Sequence, residues 1–104
     1  MQNINGKTAL VTGGSKGIGY GIAESLLKEG VNVTITSRSQ KDLDAAVQEL
    51  SKIGPGKVIG IATDVRDFDA QKNAVAKTLE AFGSLDILVA NAGVGHFAPI
   101  TELT

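Results

Sequence analysis

Apolar positions along this chain follow two rhythms in turn. Short continuous runs, at Thr8-Ala9-Leu10-Val11-Thr12, Val31/Val33/Ile35, Val58-Ile59-Gly60-Ile61-Ala62 and Ile87-Leu88-Val89, have the length and β-branched content of buried strands. Between them the spacing becomes helical. Ile18, Ile22, Ala23, Leu26 and Leu27 share one face of a helix that Gly30 stops; Leu43, Ala46, Val47, Leu50 and Ile53 form a second, started by Ser39 with Asp42 as a capping box and broken by Gly54-Pro55-Gly56. Ala70, Ala74, Val75, Leu79 and Phe82 form a third, capped by Asp67 and ended by Gly83. Strand and helix alternating through short joints predict an α/β fold, β-α-β-α-β-α-β, with one parallel sheet between helices. Right-handed crossovers with one reversal give the strand order 3-2-1-4, and the ligand crevice of such a doubly wound, Rossmann-type sheet lies at the carboxyl ends of strands 1 and 4.

A glycine-rich turn occupies that edge. Thr12-Gly13-Gly14-Ser15-Lys16-Gly17-Ile18-Gly19 joins the first strand to the first helix. Gly13 suits a positive φ as the chain leaves the strand, Gly17 lets backbone approach a pyrophosphate, and Gly19 lets the helix sit close to the sheet. The helix's free N–H groups and positive dipole end then face the phosphates. The P-loop spacing is absent, and Gly-x-Gly-x-x-Gly fails because Ile22 stands at its last glycine.

The spacing that fits is Thr-Gly-x-x-x-Gly-x-Gly, and with it the chain resembles the short-chain dehydrogenase/reductase family. Asp64-Val65 closing the third strand and Leu88-Val89-Ala90-Asn91-Ala92-Gly93 closing the fourth extend the resemblance over essentially all 104 residues, with Ala90 where the family usually has asparagine. The resemblance implies that Asp64 accepts a hydrogen bond from the adenine amino group and that the Val65 N–H addresses the ring. It implies further that Asn91 ties strand 4 to the sheet centre, that Ala92-Gly93 leaves room beside the nicotinamide ribose, and that Ser15 and the Ile18 N–H meet phosphate. For Ser15 an ordinary turn serine is the competing reading.

The end of strand 2 decides between cofactors. An NAD site places an acid there for the ribose 2′-hydroxyl, and an NADP site a cation for the 2′-phosphate. Here Ser37 is followed by Arg38, with no acid before Asp42, and Lys16 in the glycine turn is a second cation. A guanidinium forks onto phosphate where a carboxylate repels it, so NADP(H) is expected over NAD(H).

Composition sets bounds. With 10 basic and 11 acidic residues, net charge −1, the chain has no broad field for nucleic acid or an anionic membrane. The absence of cysteine excludes disulfides and thiolate metal sites, and no metal site is expected. Residues 1–7 carry no long apolar run, so the expected setting is cytoplasmic, with no secretory signal or membrane span.

Catalysis is a different matter. The family's tyrosine belongs to a Tyr-x-x-x-Lys motif, whereas Glu24 stands four residues after Tyr20; His96 is a lone histidine in a loop. No catalytic residue is therefore assigned, and the 104 residues are expected to form a single dinucleotide-binding domain, the N-terminal half of a longer NADP(H)-dependent oxidoreductase acting on a small carbonyl or alcohol. The alternative is a non-catalytic nucleotide-binding or interaction module. Pro99 to Thr104 reads as the entry to another helix, which would leave the strand 4 edge unpaired and open to self-association.

Overall fold

The computed structural model describes residues 5–64, 66–91 and 100–102. All the expected elements form: β1 (Thr8–Thr12), α1 (Gly17–Lys28), β2 (Asn32–Ser37), α2 (Gln40–Leu50), β3 (Val58–Ala62), α3 (Phe68–Phe82) and β4 (Ile87–Ala90). The four strands are parallel in the order β3-β2-β1-β4. The register sets Val11 beside Ile35 and Val89, so alternate residues of these strands share a face. On that face Ala9, Val11, Val33, Ile35 and Val89 pack with Ala23 and Leu27 of α1 and Leu43, Ala46 and Leu50 of α2. Full burial of each large aliphatic side chain contributes about 1.5–3 kcal/mol, which places most of the fold's stability on the α1/α2 side.

Helix ends follow the chemistry of their residues. At the end of α1, Gly30 takes φ 84°; its N–H donates to the Leu27 carbonyl and that of Val31 to the Leu26 carbonyl, the paired bonds of a left-handed stop. Ser39 caps α2 through a bond from the Asp42 N–H, and Asp67 caps α3 through one from the Ala70 N–H. The Ser39 cap is one-sided, because the Ser39 N–H goes to Ser37 Oγ and not to Asp42. Ile53 lies beyond the end of α2 and packs on the core from the following turn.

Three expectations are corrected. Ile18 is not on the buried face of α1 but 75 % exposed, because the buried row of that helix is Gly19, Ala23 and Leu27, four residues apart, and Ile18 lies to one side of it. On α3 the buried residues are Ala74 and Thr78, while Leu79 is exposed. Thr78 faces the sheet because its hydroxyl meets Thr34 Oγ1 at 2.9 Å and the Ala74 carbonyl at 2.7 Å. The outer side of α3 carries an open apolar groove of about 390 Å³ lined by Phe68, Gln71, Lys72, Val75, Ala76 and Leu79. Finally, residues 100–102 do not enter a helix. They form β5 (Ile100–Glu102), antiparallel to β4 with Leu88 beside Thr101, so the β4 edge expected to be free is paired by the chain itself. The β-branched Ile100-Thr101 pair suits a strand, and an antiparallel edge on a parallel sheet is common. No helix among the described residues is long and apolar enough to cross a membrane.

Candidate cofactor site at the carboxyl edge

The glycine turn, Ser37-Arg38, Asp64 and Asn91 all follow the carboxyl ends of their strands, and hydrogen bonds join them into one rim. From the β4 side, the Asn91 N–H donates to Thr12 Oγ1 at 2.8 Å, Thr12 Oγ1 donates to the Val89 carbonyl at 3.3 Å, and Asn91 Nδ2 reaches the Gly13 carbonyl at 3.4 Å. The Gly14 N–H then donates to the Thr36 carbonyl of β2 at 3.1 Å, and the Thr63 N–H to the Ser37 carbonyl at 2.8 Å. Asn91 thus ties the end of β4 to the end of β1.

The turn requires glycine at specific places. Gly13 and Gly17 have φ of 67° and 60°, which side chains disfavour. At Gly19 the obstacle is contact, since a Cβ would fall on the Gly13 carbonyl oxygen and within 2.7 Å of Asn91 Nδ2. Around a Cβ built at Gly17, by contrast, there is nothing within 4 Å. Backbone approach by a ligand is therefore unobstructed on that side.

The amino end of α1 differs from those of α2 and α3. Its N-cap is Lys16, which makes no side-chain capping bond, and its first turn has no acid. The orphan N–H groups and positive dipole end there are chemically suited to an anion. Ser15 is half-buried in this turn. The turn therefore fits the phosphates of a dinucleotide.

Lys16 does not stand alone beside the turn. Its Nζ lies 3.2 Å from Asp42 Oδ2, with side chains 75 % and 36 % exposed. Such a surface pair contributes about 0–1 kcal/mol, less than the about 1.5–3 kcal/mol of a charge-assisted bond, so a phosphate can draw Lys16 away. Arg38 is exposed beyond β2, and its charge is felt at Asp64.

Asp64 is held by a residue that the sequence patterns do not single out. Arg66 donates Nε to Asp64 Oδ1 at 3.1 Å and Nη2 to Oδ2 at 3.0 Å, and its backbone N–H meets Oδ1 at 2.9 Å. The side-chain bonds from Arg66 and then its backbone bond bring the Asp64 pKa down to about 2, against an opposing effect of desolvation that exceeds the help given by the charge of either Arg66 or Arg38. In return the bond to Asp64, followed by its charge, raises the Arg66 guanidinium above its ordinary value. Two residues were missed at the sequence level, Arg66 and the partner role of Asp42, and in both the signal was a charge of opposite sign within reach across a turn. Tyr20 is half-buried against the core. Val65, Ala92, Gly93 and His96 lie outside the described residues.

Parallel order 3-2-1-4 with a glycine turn where the strand order reverses defines a partial Rossmann-type α/β protein. The chain belongs to the short-chain dehydrogenase family, whose model matches residues 7–104. Among its relatives, dehydrogenase/reductase SDR family member 4 of Caenorhabditis elegans is 44 % identical over 105 residues, covering 97 % of this chain and 40 % of the relative. A short-chain type dehydrogenase/reductase from Mycobacterium ulcerans superposes with TM-score 0.86 at 35 % identity, over 91 % of this chain and 35 % of that one. A short-chain dehydrogenase from Burkholderia cenocepacia, solved in complex with NADP, gives 0.81 at 44 % identity, over 91 % and 39 %. The chain therefore spans well under half the length of these proteins.

Proposed function

We propose that this chain is the cofactor-holding domain of an NADP(H)-dependent oxidoreductase, with residues 1–104 forming one dinucleotide-binding domain of a longer dehydrogenase. Bound nicotinamide would supply or accept the hydride exchanged with a carbonyl or alcohol carbon. The observation that carries this reading is the uncapped amino end of α1, with Arg38 and Lys16 as the cations beside it and no acid at the end of β2. The N–H groups of Gly17, Ile18 and Gly19, with Ser15, hold the pyrophosphate. Arg38 forks onto the 2′-phosphate after Ser37, and Lys16 leaves Asp42 to join it. Asp64 and the Val65 N–H address adenine, while Asn91, Ala92 and Gly93 make room for the nicotinamide ribose. None of these residues moves the substrate proton, a task we assign to groups outside residues 1–104. The NADP in the Burkholderia cenocepacia relative supports the cofactor preference, and the lack of cysteine accords with a cytoplasmic setting.

The test is the Arg38→Asp variant, with dissociation constants for NADPH and NADH followed by cofactor fluorescence. The unaltered chain is expected to favour NADPH by roughly ten- to a hundredfold, the value of one charge-assisted bond, and the variant to lose that preference. Unchanged NADPH affinity, with NADH bound no better, refutes the assignment.

A further inference from the structure

Arg66 contributes little to stability, since an exposed ion pair two residues apart in sequence orders a turn that the bond from the Asp67 N–H to the Asp64 carbonyl, at 2.9 Å, already closes. What it fixes is the orientation of a carboxylate. Three donors meet Asp64, two on Oδ1 and one on Oδ2. Each carboxylate oxygen has two lone-pair directions, so one acceptor direction is left, and it belongs to Oδ2. The fork also locks the carboxylate plane, as a bidentate guanidinium does and an ammonium cannot.

We propose that Arg66 is a positioning residue that makes Asp64 a single-acceptor reader of the purine, admitting a base that presents an amino group and rejecting one that presents a carbonyl oxygen in the same place. This rests on the proposed function, in which Asp64 faces the adenine ring. An amino group donates to the remaining Oδ2 direction. A carbonyl oxygen sets acceptor against acceptor, and an ionised carboxylate has no proton to place between them. Without the fork, the carboxylate turns away from a carbonyl base and must be ordered to meet an amino group. Discrimination falls from both sides.

The experiment compares dissociation constants of NADPH and of its hypoxanthine analogue, in which a ring carbonyl replaces the amino group, for the full chain and for Arg66→Ala, Arg66→Lys, Asp64→Asn and the Arg66→Ala/Asp64→Asn double variant. The unaltered chain is expected to prefer NADPH by about tenfold or more, on the scale of a charged hydrogen bond. Arg66→Ala and Arg66→Lys should both reduce that preference to roughly two- to threefold. In the Asp64→Asn background the loss of Arg66 should change the ratio no further, as a residue acting through its partner requires. A merely structural Arg66 would weaken both ligands equally and keep the ratio, which overturns the proposal. So does Arg66→Lys with its preference intact, because charge alone would then suffice. NADPH and the analogue bound equally by the unaltered chain overturn it while leaving the proposed function in place; binding of neither overturns both.

Discussion

Thr34 and Thr36 stand two residues apart on β2, on the face turned to α3, at 0 % and 1 % exposure. The same substitution, threonine to valine, should act on them with opposite sign. Thr34 Oγ1 shares a hydrogen bond with Thr78, whose hydroxyl also meets the Ala74 carbonyl. Among the described residues, Thr36 Oγ1 is buried with no partner. Removing the Thr34 hydroxyl therefore gives up one buried bond, a loss of about 0.5–1.5 kcal/mol. Removing that of Thr36 releases an unsatisfied group whose burial costs about 1–3 kcal/mol, and valine suits a strand as well as threonine does. Shape changes little in either case, so the hydroxyl decides the outcome. Thr36→Val should stabilise the fold by about 1–2 kcal/mol and Thr34→Val destabilise it by about 1 kcal/mol. At about 4–8 °C per kcal/mol for a domain near this size, the two melting temperatures should differ by roughly 10 °C or more. Thermal and urea unfolding followed by circular dichroism would measure this, with unchanged urea slopes confirming a change in stability alone. If Thr36→Val destabilised as Thr34→Val does, valine packing and not the hydroxyl would govern this face, and the reasoning would fail.

Two further outcomes follow from the site. Gly19→Ala places a methyl group against the Gly13 carbonyl and Asn91 Nδ2, so it should cost about 1–3 kcal/mol by overpacking and weaken cofactor binding more than Gly21→Ala, where nothing lies within 4 Å of the added atom; unfolding and NADPH titrations on both variants check this. Asp64, with its pKa lowered to about 2 in the folded chain, favours the folded state above the unfolded aspartate value of about 3.9. That contribution fades as pH falls from about 4 through about 2. Carbon-detected NMR of the Asp64 carboxyl should give a midpoint near 2, moving part of the way up in Arg66→Ala, which keeps the backbone bond to Oδ1, and an unmoved midpoint would rule out the Arg66 side chain as the cause.

Strands β1 to β4 were legible in the sequence because each is buried and continuous, and buried strands announce themselves by composition. Helix ends were legible where one residue decides them, as at Gly30, Ser39, Asp67 and Gly83. Periodicity misled where the buried row of a helix lies beside the most apolar one. Ile18 continues the spacing of Ile22 and Leu26 yet flanks the buried row of Gly19, Ala23 and Leu27, and Leu79 keeps the helical repeat on α3 while its neighbour Thr78 is buried and hydrogen-bonded to Thr34. β5 was missed because the pairing partner of a short edge strand is not written in its own letters. The glycine turn, Arg38 and Asp64 were singled out because the chemistry of a dinucleotide demands a residue type at each place. Arg66 and Asp42 were not, since each acts by pairing with another side chain, and a pair becomes visible only once a turn or a sheet edge has brought its members together.

The clasp between Thr12 and Asn91 spans 79 positions of chain. The turn that follows β1 is therefore local in sequence but not in formation, since the Gly13 carbonyl and Thr12 hydroxyl gain their Asn91 partner only after β4 has docked on β1. Closing so long a segment comes at the slow, non-local end of folding. A cofactor that needs this turn has little to grip in a half-folded chain. Its binding energy then enters almost wholly after the folding barrier, so ligand should leave the folding rate nearly unchanged and slow unfolding in proportion to its occupancy.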